Sequence, residues 1–324
     1  MSKVLLVGSG GMAVEYLKVL KSLNQEVVVI GKSIESIKKL GEQFDYPAFS
    51  GGLENFNFNS IDNIDYAINA VSVEALFSTT QVLIDQGIKN ILIEKPGAMA
   101  KSEIEIMLER SLQKGINVSI GYNRRFYQSV QKAKEMIQEN GEKIKSFHFE
   151  FTEWAHVIKS YNFSQDLLQN WFIANSSHLI DLAFYLGGKP KIIHSLVGGG
   201  LDWHTSGSIY VGSGISEIGA FFSYHSNWTA PGRWSLDVLT DSTRYIFKPL
   251  EKLQIQKNGS VQIEEVNQDN NVDIDFKPGI RDQVIAFLGQ DNSVLCRLVE
   301  QARLWEIYDK IKYGSIKIEN SENK

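Results

Sequence analysis

The order Val4-Leu5-Leu6-Val7-Gly8-Ser9-Gly10-Gly11-Met12-Ala13 restricts the fold of this chain more than any other stretch. A short apolar run feeding G-x-G-x-x-A reads as a strand, a tight turn and the start of a helix. The first glycine makes the turn, the second lets the backbone approach a pyrophosphate, and the small third residue lets helix and strand pack closely. A pyrophosphate placed there meets the free N–H groups and the positive dipole end of the helix. Gly8, Ser9, Gly10, Gly11 and Met12 are therefore candidate contacts to a dinucleotide. The pattern continues: residues 27–30, 66–71, 91–93 and 118–121 read as near-continuous apolar strands. Helical stretches near residues 12–23, 33–43, 73–87 and 101–114 separate them. Alternation of this kind predicts a doubly wound parallel sheet of Rossmann type, an α/β domain over residues 1–122.

After residue 123 the pattern changes to a long helix near 124–139 and then to strands, near 145–152, 192–197, 207–211, 218–224, 234–239, 244–247 and 253–256. A helix at 177–186 interrupts them, two more are expected at 280–289 and 294–312, and the polar tail from residue 319 is expected to fray. Residues 123–324 are thus expected to form an α+β domain with an open, mostly antiparallel sheet. A chain of 324 residues suits two domains, and 43% hydrophobic with 22% charged residues is an ordinary globular balance.

At the end of the second strand a cofactor lacking a 2′-phosphate usually meets an acid about 20 residues after the glycine turn. Here Gly31-Lys32-Ser33 stands with no acid before Glu35. A cation and a hydroxyl suit a 2′-phosphate, so Gly31, Lys32 and Ser33 are candidate contacts and NADP is preferred over NAD. The alternative is a solvated Lys32, with NAD held through other contacts. Ile93-Glu94-Lys95-Pro96 stands at the carboxyl edge of the sheet, where open α/β folds place their ligands. A lysine there can hydrogen-bond a substrate oxygen and stabilise the alkoxide that develops during hydride transfer. Gly121-Tyr122-Asn123-Arg124-Arg125-Phe126 follows at the passage out of the first domain.

The glycine turn, the E-K-P triplet and the G-Y-N-R-R-F segment together resemble the family of glucose-fructose oxidoreductase, inositol dehydrogenase and rhizopine catabolism (Gfo/Idh/MocA) proteins, over most of the chain. The resemblance implies that Lys95 contacts nicotinamide ribose and substrate, that Glu94 and Asn123 lie near the ribose, and that Tyr122 lies on the substrate side. It also implies a homodimer or homotetramer. Relatives carry D-x-G-x-H-x-x-D on a helix of the second domain. His178 and Asp181 match that pattern, while Ala174 and Ser176 stand at its aspartate and glycine positions. His178, whose imidazole titrates near pH 6.5 when unperturbed, is the candidate acid/base, and Asp181 a candidate substrate contact; a buried structural histidine is the alternative. A second departure, Ala70-Val71-Ser72-Val73 with Leu76 in place of a histidine, leaves Val71 and Ser72 as weak cofactor candidates.

Aromatic faces can stack on sugars, and Trp154, Trp171, Trp203, Tyr224, Trp228 and Trp234 lie in the second domain beside His204 and Arg233. The stretch from Asn227 to Trp234, with a Pro-Gly turn, reads as a surface loop, making Trp228 and Arg233 candidate substrate contacts. The expected activity is hydride transfer between nicotinamide and a hydroxyl or keto carbon of a sugar, sugar nucleotide or polyol. A cofactor-binding sensor or assembly partner without chemistry is the alternative, because position 174 lacks its aspartate.

Thirty-three basic against 38 acidic residues, without a basic run, disfavour nucleic acid. No apolar stretch approaches the length of a membrane span, and no metal-ligand spacing appears among six histidines and one cysteine. A cytoplasmic location without membrane or metal partners is the expectation.

Overall fold

The computed structural model describes residues 3–268, 271–289 and 293–315. In chain order the elements are β1 (Lys3–Val7), α1 (Gly11–Ser22), β2 (Val27–Ile30), α2 (Ile34–Phe44), β3 (Ala48–Phe49), β4 (Ile64–Asn69), α3 (Leu76–Asp85), β5 (Asn90–Glu94), α4 (Lys101–Lys114), β6 (Asn117–Gly121) and α5 (Gln128–Glu139). Next come β7 (Ile144–Glu150), α6 (Ala155–Ser160), α7 (Gln165–Gln169), α8 (Ser177–Gly187), β8 (Pro190–Gly198), β9 (Ile209–Ser216), β10 (Phe221–Asn227), β11 (Ser235–Thr240), β12 (Thr243–Phe247), β13 (Gln254–Lys257) and β14 (Ile263–Glu265). The last elements are α9 (Asn271–Asp275), α10 (Ile280–Leu288), β15 (Cys296–Arg297) and α11 (Leu298–Tyr313).

The chain divides into two compact units, Met1–Gln128 with Asp269–Arg303, and Ser129–Gln268 with Leu304–Lys324. This corrects the expected single boundary after residue 122. The returning segment is apolar enough to complete the first core: Ile280, Val284, Phe287 and Leu295 are buried with Val4, Leu6, Leu17, Leu20 and Val29. Burial of several such side chains, each contributing roughly 1.5–3 kcal/mol, outweighs a contiguous partition.

In the first unit the strand order is β15-β6-β5-β4-β1-β2-β3. All pairs are parallel except the edge, where the short β15 runs antiparallel to β6. Every residue of β2 is buried, as expected of a strand covered on both faces. Because β1 pairs with β2 on one side and β4 on the other, the strand order reverses beside it, and Gly8 emerges at that switch point.

The second unit holds an eight-stranded sheet, β14-β13-β12-β11-β7-β10-β9-β8, antiparallel apart from the β7–β10 pair. Alternate residues of β10 are buried and exposed, so one face takes the core. On that face Phe184 of α8 meets the rings of Phe147, Phe149 and Phe222 edge-on at centroid distances of 6.0, 5.6 and 5.3 Å. The expected helix at 124–139 is instead a 3₁₀ turn, Asn123–Phe126, followed by α5. The tail from residue 319 lies outside the described residues. Among the described residues no helix is long and apolar enough to cross a membrane.

Candidate functional site

In the first unit the glycine turn walls a cavity of about 440 Å³. Gly8, Ser9, Gly10, Gly11, Met12, Gly31, Lys32, Val71 and Ser72 all line it, so nine of the cofactor candidates share one site. The turn is held by Gly8 N–H donating to the Ile30 carbonyl at 2.8 Å. Gly8 has φ +127°, and a Cβ there would lie 2.4 Å from the Ala70 carbonyl oxygen. Only glycine fits such a position. Gly10 and Gly11 differ, because a Cβ on either would meet nothing within 4 Å. Their lack of side chains is not required by packing and leaves space open beside the helix. Gly10 caps α1 without a capping side chain, and the first turn carries no acid. An uncapped, acid-free helix start facing a cavity fits an anionic ligand, so these residues fit a dinucleotide pyrophosphate.

Ser33 is not among the lining residues; it caps α2, its Oγ accepting from Ser36 N–H at 3.2 Å. The candidate cofactor contact is thus a helix cap, the commoner use of a serine just before a helix. Lys32 is well exposed and lies 3.5 Å from Glu54, an acid that also lines the cavity. Glu54 escaped the sequence reading because it sits beyond the short β3, far from the end of β2. Its one signal is Gly51-Gly52, both with positive φ, which turn the chain back toward the cavity.

Glu94 is buried, and the Tyr16 hydroxyl donates to its Oε1 at 2.6 Å. Burial pushes the Glu94 carboxyl up, against the pull of the Tyr16 hydrogen bond and the Lys95 charge. The Gln283 side-chain amide lies 3.1 Å from the same hydroxyl. Glu94 therefore ties β5 to α1, and it is not among the residues lining the cavity. Lys95 is partly buried at the end of β5 and precedes a cis Pro96.

The G-Y-N-R-R-F segment turns out to clamp the returning part of the first unit. Asn123 Nδ2 donates to the Pro278 carbonyl at 2.8 Å, and Arg125 Nη2 lies 3.1 Å from Glu300 Oε1. Arg125 Nη1 also donates to the Val294 carbonyl at 3.2 Å. Tyr122 is buried, with its hydroxyl 3.1 Å from Gln301 Nε2. Asn123 and Tyr122, expected beside ribose and substrate, here make these anchoring bonds to residues that the sequence keeps far away.

In the second unit His178 and Asp181 both lie buried on α8. The His178 ring is 6.3 Å from that of Trp234. A π turn, Phe172–Ser176, leads into α8, and one wall of it is Glu153, which is 2% exposed. Glu153 accepts from Asn175 Nδ2 at 2.9 Å and from Ser176 Oγ at 2.8 Å. Burial pushes its carboxyl up, while those donors and the Arg233 charge pull it down. Arg233 lies half-exposed, 3.9 Å from Glu153 and over the rings of Trp154 and Trp234 at 4.9 and 5.3 Å. Glu153 also escaped the sequence reading, having no motif around it.

Residues 228–234 form the expected loop between β10 and β11, with Thr229, Pro231 and Arg233 exposed and Trp228 and Trp234 buried. Trp228 is 2% exposed and stacks with Trp203 at 6.1 Å and with His204 at 4.7 Å. His204 is likewise core, Nδ1 facing the Leu168 carbonyl at 3.1 Å, and burial pushes its pKa down to about 4. Trp228 nonetheless forms part of the wall of a surface cavity of about 640 Å³, together with Trp154, His156 and Pro231.

These features agree with the comparisons to known proteins. The family model described as "Oxidoreductase family, NAD-binding Rossmann fold" (Gfo/Idh/MocA) matches residues 2–122. One curated relative, Uncharacterized protein UNK4.17 of Schizosaccharomyces pombe, is 30% identical over 104 residues, which is 32% of this chain and 26% of that protein. The chain thus spans about a quarter of the length of that relative. Among solved structures, a dehydrogenase from Chromobacterium violaceum superposes with a TM-score of 0.77 at 16% identity, covering 96% of this chain and 94% of the other. Levoglucosan dehydrogenase in complex with NADH and L-sorbose gives 0.74 at 16%, covering 96% and 95%. UDP-N-acetylglucosamine 3-dehydrogenase GnnA from Acidithiobacillus ferrooxidans gives 0.72 at 13%, covering 95% and 96%. At such identities the likeness of structures shows the fold alone, and the sequence match places residues 2–122, with the glycine turn, within the model of the Gfo/Idh/MocA oxidoreductase family's NAD-binding Rossmann fold.

Proposed function

We propose that the protein is a nicotinamide-dependent oxidoreductase that transfers a hydride between NADP or NAD and a hydroxyl or keto carbon of a sugar, sugar nucleotide or related polyol. The observation that carries this reading is the cavity walled by Gly8 to Met12 at an uncapped helix start. Structural likeness to levoglucosan dehydrogenase and to a UDP-N-acetylglucosamine dehydrogenase supports a sugar-like substrate. The nicotinamide supplies the hydride acceptor or donor when bound. Lys95 is assigned to donate a hydrogen bond to the substrate oxygen and to stabilise the charge that develops on it. His178 is assigned to move the proton, with Asp181 on the same helix and Arg233 as a polar contact to substrate.

Lys32 supports the preference for NADP, since an exposed cation at the end of β2 suits a 2′-phosphate. Glu54 limits that preference, because a carboxylate 3.5 Å away repels the same phosphate and can accept from a ribose hydroxyl. Assembly as a homodimer or homotetramer belongs to the same reading; Ile192 and Phe221, exposed on β8 and β10, support it.

The test is turnover. Purified protein is mixed with NADPH, NADH or their oxidised forms and a panel of sugars and sugar nucleotides, and nicotinamide absorbance is followed. Turnover on at least one sugar-like compound is expected, reduced about 10²-fold or more in Lys95→Ala. Unchanged turnover in that variant removes Lys95 from the mechanism, and equal KM values for NADPH and NADH remove the preference for NADP.

A further inference from the structure

Glu153 belongs to the second unit, three residues past the end of β7. An ionisable group only 2% exposed is costly to bury unless it is paired and hydrogen-bonded. Its partners answer that cost from two places in the sequence. Asn175 Nδ2 reaches both carboxylate oxygens, at 2.9 and 3.1 Å, and Ser176 Oγ donates to Oε1 at 2.8 Å. From the other side Arg233 Nη1 stands 3.9 Å from Oε2.

Those two places flank His178. Asn175 and Ser176 are the last residues of the π turn that runs directly into α8, where His178 is the second residue. Arg233 adjoins Trp234, whose ring is the neighbour of the His178 ring at 6.3 Å. A π turn is wider than an α-helix and is closed by i→i+5 backbone hydrogen bonds, and side-chain bonds to its residues add to that hold. Here the residue at the turn's centre, Ala174, is buried and offers only a methyl group. Glu153 thus bonds to the side chains of Asn175 and Ser176 from outside the turn.

From this geometry we propose that Glu153 is a positioning residue for His178: one buried carboxylate grips the turn before the histidine and the arginine beside its aromatic neighbour, and so fixes where the imidazole points. The proposal rests on the reading of His178 as the proton-moving group. It places the carboxylate missing at position 174 on a different segment of the chain. Glu153 acts through Ser176 and Asn175.

The experiment uses Glu153→Gln, which keeps the shape and removes the charge, alone and combined with Ser176→Ala. On the best substrate of the sugar panel, kcat is expected to fall about tenfold or more, with the KM for that sugar and the Kd for NADPH changed by less than about threefold. The two substitutions are expected to be non-additive in kcat, because both break one linkage. A second readout needs no substrate: in ¹⁵N-labelled protein at about pH 8, where an unperturbed imidazole is neutral, Glu153→Gln is expected to shift the His178 ring-nitrogen resonances and the balance of its two tautomers. Wild-type kcat in Glu153→Gln, or a fall in urea midpoint with unmoved His178 resonances, overturns the proposal and makes Glu153 a packing residue. Absence of turnover in the wild-type protein refutes the oxidoreductase reading instead, and the resonances then decide the positioning claim by themselves.

Discussion

The cavity of the first unit and the His178 cluster of the second are built in opposite ways. The cavity is made of backbone: a contiguous turn, Gly8 to Met12, and the ends of neighbouring strands at Gly31 and Val71. The cluster is made of side chains from three separated segments, at Glu153, at Asn175 to His178 and at Arg233. A backbone-built site constrains which residues lack side chains, so its requirement is written as a glycine spacing. A side-chain-built site is specified only once the sheet has brought β7, α8 and β11 together, so the same chemistry can migrate from one segment to another.

The largest effect that sharpens this contrast is expected at Gly8. Gly8→Ala forces a Cβ to 2.4 Å from the Ala70 carbonyl at φ +127°, and should cost roughly 3 kcal/mol or more of stability along with cofactor affinity. Urea unfolding read beside NADPH fluorescence checks both; wild-type stability in Gly8→Ala would break the claim that the turn is backbone-limited.

A second effect concerns pH and belongs to the second unit. His204, held by burial at a pKa of about 4, stays neutral in the folded chain while an unfolded imidazole takes up a proton near pH 6.5. The stability contributed by the neutral ring is present above pH 6.5 and is lost as pH falls from 6.5 toward 4, by roughly 3 kcal/mol. Urea midpoints measured across that window should fall, and the fall should be smaller in His204→Gln. An equal fall in both proteins would mean that other groups carry the acid sensitivity.

Tyr16→Phe is expected to cost about 1–3 kcal/mol, because it strips a donor from the buried Glu94 carboxyl. Thermal unfolding measures this loss. If Glu94 instead faces cofactor more than Tyr16, the substitution will alter NADPH affinity and leave the melting temperature alone. The smallest effect is reserved for Ser33→Ala, about 1 kcal/mol from the lost cap of α2, with NADPH affinity unchanged. A selective loss of NADPH over NADH binding there would restore Ser33 to the 2′-phosphate site.

The parallel sheet was legible because β1, β2, β4, β5 and β6 each carry an apolar run punctuated by glycine or a helix start, whereas the two-residue β3 is too short to show one. The second sheet was legible in kind, from alternation such as Phe222, Tyr224 and Ser226 buried on β10. The return of residues 269–303 was not, since the amphipathic pattern of α10 says that Ile280 and Val284 are buried without saying against which core. The same blindness affected the G-Y-N-R-R-F segment. Asn123 was singled out through the family resemblance, and neither its partner Pro278 nor Arg125's partner Glu300, each more than a hundred residues away, is visible in that segment. The burial of Trp228 was not legible, because a Pro-Gly turn announces an exposed loop without showing that the aromatic residue at its base is anchored against Trp203 and His204.

The central claim is that Gly10 is kept small for a ligand and not for the fold. The most direct test is NADPH titration, followed by nicotinamide fluorescence, of the wild-type protein and Gly10→Ala. Gly10 has φ −86°, acceptable to alanine, and its Cβ would meet nothing within 4 Å. The account predicts saturable binding to the wild type, affinity weakened about tenfold or more in Gly10→Ala, and a urea midpoint unchanged within about 1 kcal/mol. Equal affinity in the two proteins, or no binding to either, contradicts it.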